Sequence, residues 1–197
     1  MNAKLTLKHF LLGAGIIGGL TSCSYTNAKQ EDSKEASNGY TETKSDDKVN
    51  EMDSKFISDV AVINLTEIQL GQLAENTGKM QDVKELGKMM EKDHSSCLKE
   101  VQSLAEKKAI VIPTSLTDKE QEEYKKLSEL TGDDFDKEYC NKMIKGHKEA
   151  INKFEKALTD CKDSDIKDFT VKTLPTLRMH LEHSMDCQKK LENMKSM

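Results

Sequence analysis

The chain has 197 residues, 36% hydrophobic and 33% charged, with no tryptophan and two prolines, which fits one helical domain with extensions better than two domains. Its 30 Lys+Arg and 35 Asp+Glu are interspersed along the sequence, giving a net charge of −5 without a basic block or an arginine-rich face. Nucleic acid is thereby excluded as the expected partner.

Residues 1–22 read as a signal peptide. Lys4 and Lys8 form a basic start, Phe10 to Leu20 form an apolar stretch too short to span a bilayer, and Leu20-Thr21-Ser22 precedes Cys23. This L-T-S-C tetrapeptide resembles the lipobox of bacterial lipoproteins. The resemblance implies cleavage before Cys23, lipidation of that cysteine with palmitate-type acyl chains, and attachment to a membrane of the cell envelope through the lipid anchor. Ser24 follows Cys23, where an aspartate would favour retention in the inner membrane, so sorting to the outer membrane is expected. Residues 23–52 form a tether rich in Ser, Thr, Lys and Glu, without an apolar period that could order it. Its r.m.s. reach is about 30 Å.

Residues 53–197 carry a sustained helical pattern. Phe56, Val60, Ile63, Glu67, Leu70 and Ala74 fall at alternating spacings of three and four, and Asn76-Thr77-Gly78 closes this first helix. The second starts near Gln81 with a stripe of Val83, Gly87, Met90, His94, Cys97, Val101 and Leu104. Pro113 fixes a break, Thr117 caps a short helix, and Gly132 is expected to stop it. Asp133 or Asp134 is the expected cap of the third long helix, whose stripe is Asp136, Cys140, Met143, His147, Ala150, Phe154 and Ala157. After the turn at Cys161 to Ser164 the last helix carries Ile166, Phe169, Thr173, Leu177, His180, Ser184, Cys187, Leu191 and Met194. The pattern predicts an all-α four-helix bundle with an extra short helix between the second and third long helices.

Each long helix supplies one member of a polar layer. Glu67 lies 12 residues before Lys79 and His94 lies 15 after it, while His147 lies 15 before Lys162 and His180 lies 18 after it. At 1.5 Å per residue all four stand roughly 18 to 27 Å from their turns, so they share a mid-height layer. A carboxylate and three imidazoles converging there can bind Zn, Cu, Ni, Mn or Fe. Equally open at this point is a hydrogen-bonded network that only fixes helix register. Glu91, three residues before His94, is a further candidate carboxylate, and Met90, Met143, Met179 and Met185 are either soft ligands or core filler. His183 is read as a surface residue, and Gly71 and Gly87 as points of close helix approach.

Four cysteines follow Cys23. Cys161 and Cys187 are too far apart along the chain's last helix to pair. Cys140 and Cys187 reach similar heights on adjacent helices, where either a disulfide or two buried thiols fit.

Glu67 to Gly71 (E-x-x-x-G), Asp93-His94, Pro113, Gly132 to Tyr139 (G-x-x-F-D-x-x-Y), His147, and Leu174 to Leu181 (L-P-T-L-R-x-H-L) together resemble domain of unknown function family 4142. This family is labelled a predicted outer-membrane protein and placed among ferritin-like bundles. The resemblance covers about residues 53 to 190 and implies a ferritin-like fold. Di-iron members of that fold use a Glu on each of two helices and Glu-x-x-His on the other two. Here the residue three before His180 is Leu177, and the third long helix offers His147 in place of Glu, so a di-iron oxidase is not expected. No nucleophile-base pairing or phosphate loop points to another enzyme. The expectation is an envelope lipoprotein that binds or senses a transition metal through Glu67, His94, His147 and His180, or else a non-catalytic module that docks a protein partner. Pro175 lacks an N–H and crowds the Val171 carbonyl, so it is expected to kink the last helix ahead of His180.

Overall fold

A computed structural model describes residues 51–195. The expected signal peptide, the lipidation of Cys23 and nearly all of the tether lie outside the described residues. The helices are α1 (Glu51–Thr77), α2 (Gln81–Lys107), α3 (Asp118–Ser128), α4 (Gly132–Asp160) and α5 (Ser164–Lys195). The four long helices form a ferritin-like bundle with the short α3 between the second and third of them, and no strand occurs among the described residues.

The chain's own polar residues set the helix ends. Asp136, buried near the start of α4, accepts hydrogen bonds from the backbone N–H of Lys79 (2.9 Å) and Met80 (2.7 Å). These are donors left over where α2 begins. At the opposite end of the bundle Asp53 of α1 accepts from the Lys162 N–H at 2.9 Å. Asp163 caps α5, its Oδ1 taking the N–H of Asp165 (2.9 Å) and Ile166 (3.2 Å). These ties place the start of α4 beside the α1–α2 turn, and the α4–α5 turn beside the start of α1. The middle connection therefore carries the chain back along the bundle, so that α2 and α4 run in the same direction.

The junction of α3 and α4 differs from expectation. Gly132 does not stop α3, which ends at Ser128, and neither Asp133 nor Asp134 is the cap. Thr131 holds the N-cap position in extended conformation (φ −143°, ψ 162°), and Gly132 opens α4 with φ +60°, a left-handed value that glycine takes without strain. Farther on, α5 runs through Pro175 as one helix, with the proline on its exposed side.

Along α1 and α2 the backbones meet closely. A Cβ on Gly71 would stand 2.6 Å from the Gly87 carbonyl oxygen and 2.9 Å from the Glu91 nitrogen, and one on Gly87 would stand 2.6 Å from the Gly71 oxygen. The core forms two separate apolar clusters. One holds Phe56, Ile57, Val60, Phe154, Ile166 and Phe169, the other Leu70, Val83, Met90, Phe135, Tyr139 and Met143. On each of α2, α4 and α5 a buried histidine lies between the two clusters, joined on α5 by buried Ser184.

Candidate metal centre

His94 of α2, His147 of α4 and His180 of α5 are at most 3% exposed, and one ring nitrogen of each lies within 4.8 Å of the others. Their ring centroids form a nearly equilateral triangle with sides of 5.7, 5.3 and 5.2 Å. Helical periodicity brings them there: each occupies the apolar stripe of its helix, so burying the stripe buries the imidazole.

The hydrogen bonds decide which nitrogens carry lone pairs. Asn64 of α1 gives its amide N–H to the Val60 carbonyl at 2.8 Å, which turns its Oδ1 toward His94 Nδ1 at 3.0 Å. An amide oxygen only accepts, so His94 donates from Nδ1 and keeps its lone pair on Nε2. His147 Nδ1 faces the Met143 carbonyl at 2.9 Å, so it too donates from Nδ1 and keeps the pair on Nε2. His180 Nε2 faces the Asp93 carboxylate at 3.2 Å, which puts its proton on Nε2 and its lone pair on Nδ1. Three ring nitrogens are then left with free lone pairs. His147 Nε2 and His180 Nδ1 stand 3.3 Å apart, and buried His94 Nε2 has no hydrogen-bond partner among the described residues.

Neutral imidazoles in this arrangement repel one another through their lone pairs, and a cation relieves the repulsion. A proton shared between His147 and His180 would satisfy two nitrogens and leave His94 Nε2 without a partner. The environment also resists a proton. Burial, reinforced by the neighbouring imidazoles, holds His94 well below the usual histidine range. Burial lowers His147 to about 4 despite its bond to Met143, and it lowers His180 despite the opposing pull of Asp93. A metal ion takes all three lone pairs at once. Nitrogens each about 2.0–2.1 Å from a tetrahedral ion stand about 3.3 Å apart, the separation His147 and His180 already have. Each imidazole also gives its remote N–H to an acceptor, the outer-shell arrangement that orients metal-ligating histidines. Beside His94 and His180 a cavity of about 20 Å³, bounded by Val60, Cys97, Phe154 and Leu177, has room for one water-sized ligand.

The expected carboxylate is not part of this cluster. Glu67 does not join the group of converging ligand atoms; it lies against Gly146, 3.2 Å from where a Cβ there would stand, and its Oε2 has no hydrogen-bond partner among the described residues. Burial pushes its carboxyl up to about 8, against the downward pull of Lys142, so it is protonated at neutral pH. From α1 the residue that reaches the histidines is Asn64, one turn earlier. Glu91 accepts a hydrogen bond from Gln72 at 2.8 Å on the outer side of the α1–α2 contact. Glu67 and Glu91 both stand apart from the three histidines. Met90 and Met143 are buried in the second apolar cluster, Met179 and Met185 are exposed, and His183 is at the surface. Cys97 lines the small cavity, but its sulfur is not one of the three converging ligand atoms. Cys140 and Cys187 are free thiols with their sulfurs 3.1 Å apart.

Sequence reasoning found the three histidines and missed Asn64 and Asp93 as their partners. The signal for Asn64 was present: it lies 15 residues before Lys79, as His94 lies 15 after it. Asp93 had no periodic signal of its own, because it sits off the stripe beside His94.

Comparison with known proteins gives a family and a fold. The family described as Domain of unknown function (DUF4142) matches residues 38–186. No curated protein matches the sequence. Among solved structures the chain is similar to a DUF305 fragment from Deinococcus radiodurans, with a TM-score of 0.64 and 11% sequence identity, covering 72% of this chain and 98% of that one. At that identity the likeness speaks for the bundle alone.

Proposed function

The chain belongs to the DUF4142 family, and because that description names no activity we propose a function from the site itself: the bundle holds one transition-metal ion on His94 Nε2, His147 Nε2 and His180 Nδ1. The observation that carries this reading is the convergence of three buried imidazoles, one ring nitrogen of each within 4.8 Å of the others, with His94 Nε2 left without a hydrogen-bond partner among the described residues. An all-imidazole set suits Zn, Cu, Ni or Fe. Mn and other oxygen-seeking ions fit less well, because Glu67 stands outside the set. The role is retention or sensing of the ion.

Attachment to the cell envelope, and to its outer membrane, is part of the same proposal. Its support is the sequence, namely the leader of residues 1–22, the L-T-S-C motif ending at Cys23, and Ser24 after it. Among the described residues no helix is long and apolar enough to cross a membrane, so the lipid on Cys23 would be the anchor. Loss of palmitate labelling and of membrane association in Cys23→Ala tests this part.

The metal reading is tested by elemental analysis and titration of the protein purified without a histidine tag. About one equivalent of Zn, Cu, Ni or Fe per chain is expected, lost in His147→Ala. Binding below about a tenth of an equivalent for every one of these ions would leave the histidines as a register-fixing network, the other reading of the same layer.

A further inference from the structure

We propose that Cys140 and Cys187 are a redox-active pair, in which Cys187 reduces a small hydroperoxide and Cys140 resolves the product to a disulfide that clips α4 to α5. The two sulfurs are 3.1 Å apart, and the Cys140 thiol donates to the Cys187 sulfur. Shortening that contact to a bond of about 2.05 Å requires a displacement of only about 1 Å. The pair differs from the other cysteines of the described residues. Burial pushes the Cys97 thiol up to about 11 and that of Cys161 up to about 12. Cys187 is instead held below the usual thiol value by the hydrogen bond from Cys140, which itself keeps its proton.

Access is one-sided. Cys140 is fully buried, whereas Cys187, itself only 4% exposed, lies at the wall of a surface groove of about 320 Å³ between α2 and α5. Asp82, Glu85 and Asp186 line the same groove with His183 and Lys190, and Lys190 is paired with Asp82. An acidic groove disfavours an anionic oxidant such as a glutathione-type disulfide, and a neutral hydroperoxide meets no such barrier. In the first step the Cys187 thiolate attacks a peroxide oxygen, the O–O bond breaks, and the departing hydroxide takes up a proton to leave as water (or as alcohol from an alkyl hydroperoxide). Cys187 is then a sulfenic acid. In the second step the Cys140 sulfur attacks the Cys187 sulfur, the S–S bond forms, the S–O bond breaks, and the hydroxyl leaves as water with the Cys140 proton. Two thiols are oxidised by two electrons in all, and one hydroperoxide is reduced.

The test uses metal-free, chelator-treated protein, so that its result is independent of the metal reading. Hydrogen peroxide is added in stoichiometric amount, free thiols are counted, and non-reducing peptide mass spectrometry locates any link. The expected result is loss of two thiols per chain and a single linked peptide pair containing Cys140 and Cys187. In Cys140→Ser, dimedone should trap a sulfenic acid on Cys187, and in Cys187→Ser the oxidation of Cys140 should be about tenfold slower or more. The Cys→Ala counterparts repeat both measurements if a serine variant fails to fold. Intact Cys140 and Cys187 thiols in the wild type, prior oxidation of Cys97 or Cys161, or equal rates in the two single variants would overturn the proposal.

Discussion

The α1–α2 seam and the α4–α5 seam are built on the same register and carry different residues in it. On α1–α2, Gly71 faces Gly87, and Asn64 meets His94 seven residues away along each helix. On α4–α5, Cys140 faces Cys187, and His147 meets His180 seven residues away along each helix. The seven-residue step, about 10 Å, returns a helix to nearly the same face. Glycine lets one pair of backbones touch, which fixes where the Asn64 amide stands and therefore which nitrogen of His94 is protonated. The other seam keeps side chains at both positions and supplies two of the three lone pairs together with a pair of thiols. One seam thus aligns, and the other presents reactive groups.

The strongest way to break this division is to crowd the aligning seam. In Gly71→Ala the added carbon would meet backbone atoms at 2.6 and 2.9 Å, and backbone cannot swing aside as a side-chain tip can. A loss of stability of about 3 kcal/mol is expected, beyond the small helix-propensity gain of alanine, and denaturant unfolding would measure it. A loss under about 0.5 kcal/mol would mean that the helices separate freely and that the seam is not the rigid member of the pair.

A smaller effect sharpens the link between alignment and site. Asn64→Leu removes the acceptor at His94 Nδ1 while leaving all three ligands, and should weaken metal binding by about 10- to 100-fold, read by competition with a chromogenic chelator. Asp93→Asn should act similarly through His180. If both variants bind as the wild type does, the remote N–H partners do not set the tautomers.

The mildest prediction concerns Glu67, beside the histidine layer but outside it. Its carboxyl rises from 4.5, its ordinary value, to about 8 in the folded state. Between those values the folded chain holds a proton that the unfolded chain has lost, so this group's contribution is fully present below about 4.5, falls as pH rises, and is gone above about 8. The buried histidines have depressed values and act in the opposite sense, favouring the fold less as pH falls below 6.5. The comparison is therefore between wild type and Glu67→Gln. The variant should gain stability relative to wild type as pH rises from 5 to 8, and a difference that stays flat with pH would place Glu67 in a solvated setting.

Much of this was legible in the chain. Alternating spacings of three and four gave the long helices, and Gly78 marked the end of the first because a glycine end has a local cause. The three histidines were legible because a titratable residue on an apolar stripe must be buried with it. Glu67 was misplaced for a physical reason: counting along a helix gives height, and a residue three positions off is one turn away and faces a different neighbour. Equal arms about Lys79 select Asn64 opposite His94, whereas the unequal count of 12 against 15 had selected Glu67. The junction at Gly132 was missed because a glycine after one helix and before another serves either, and only the extended Thr131 shows which. The proton positions on His94 and His180 depend on acceptors from other helices, Asn64 and Asp93, and had no trace in any single stretch of sequence.

X-ray absorption spectroscopy of the metal-loaded protein tests the central claim most directly, because it counts the nitrogens around the ion. The account predicts three imidazole nitrogens at about 2.0–2.1 Å, with imidazole outer-shell scattering that falls to two rings in His94→Ala. A shell of oxygens only, a sulfur from Cys97, or a spectrum unchanged by His94→Ala would contradict it.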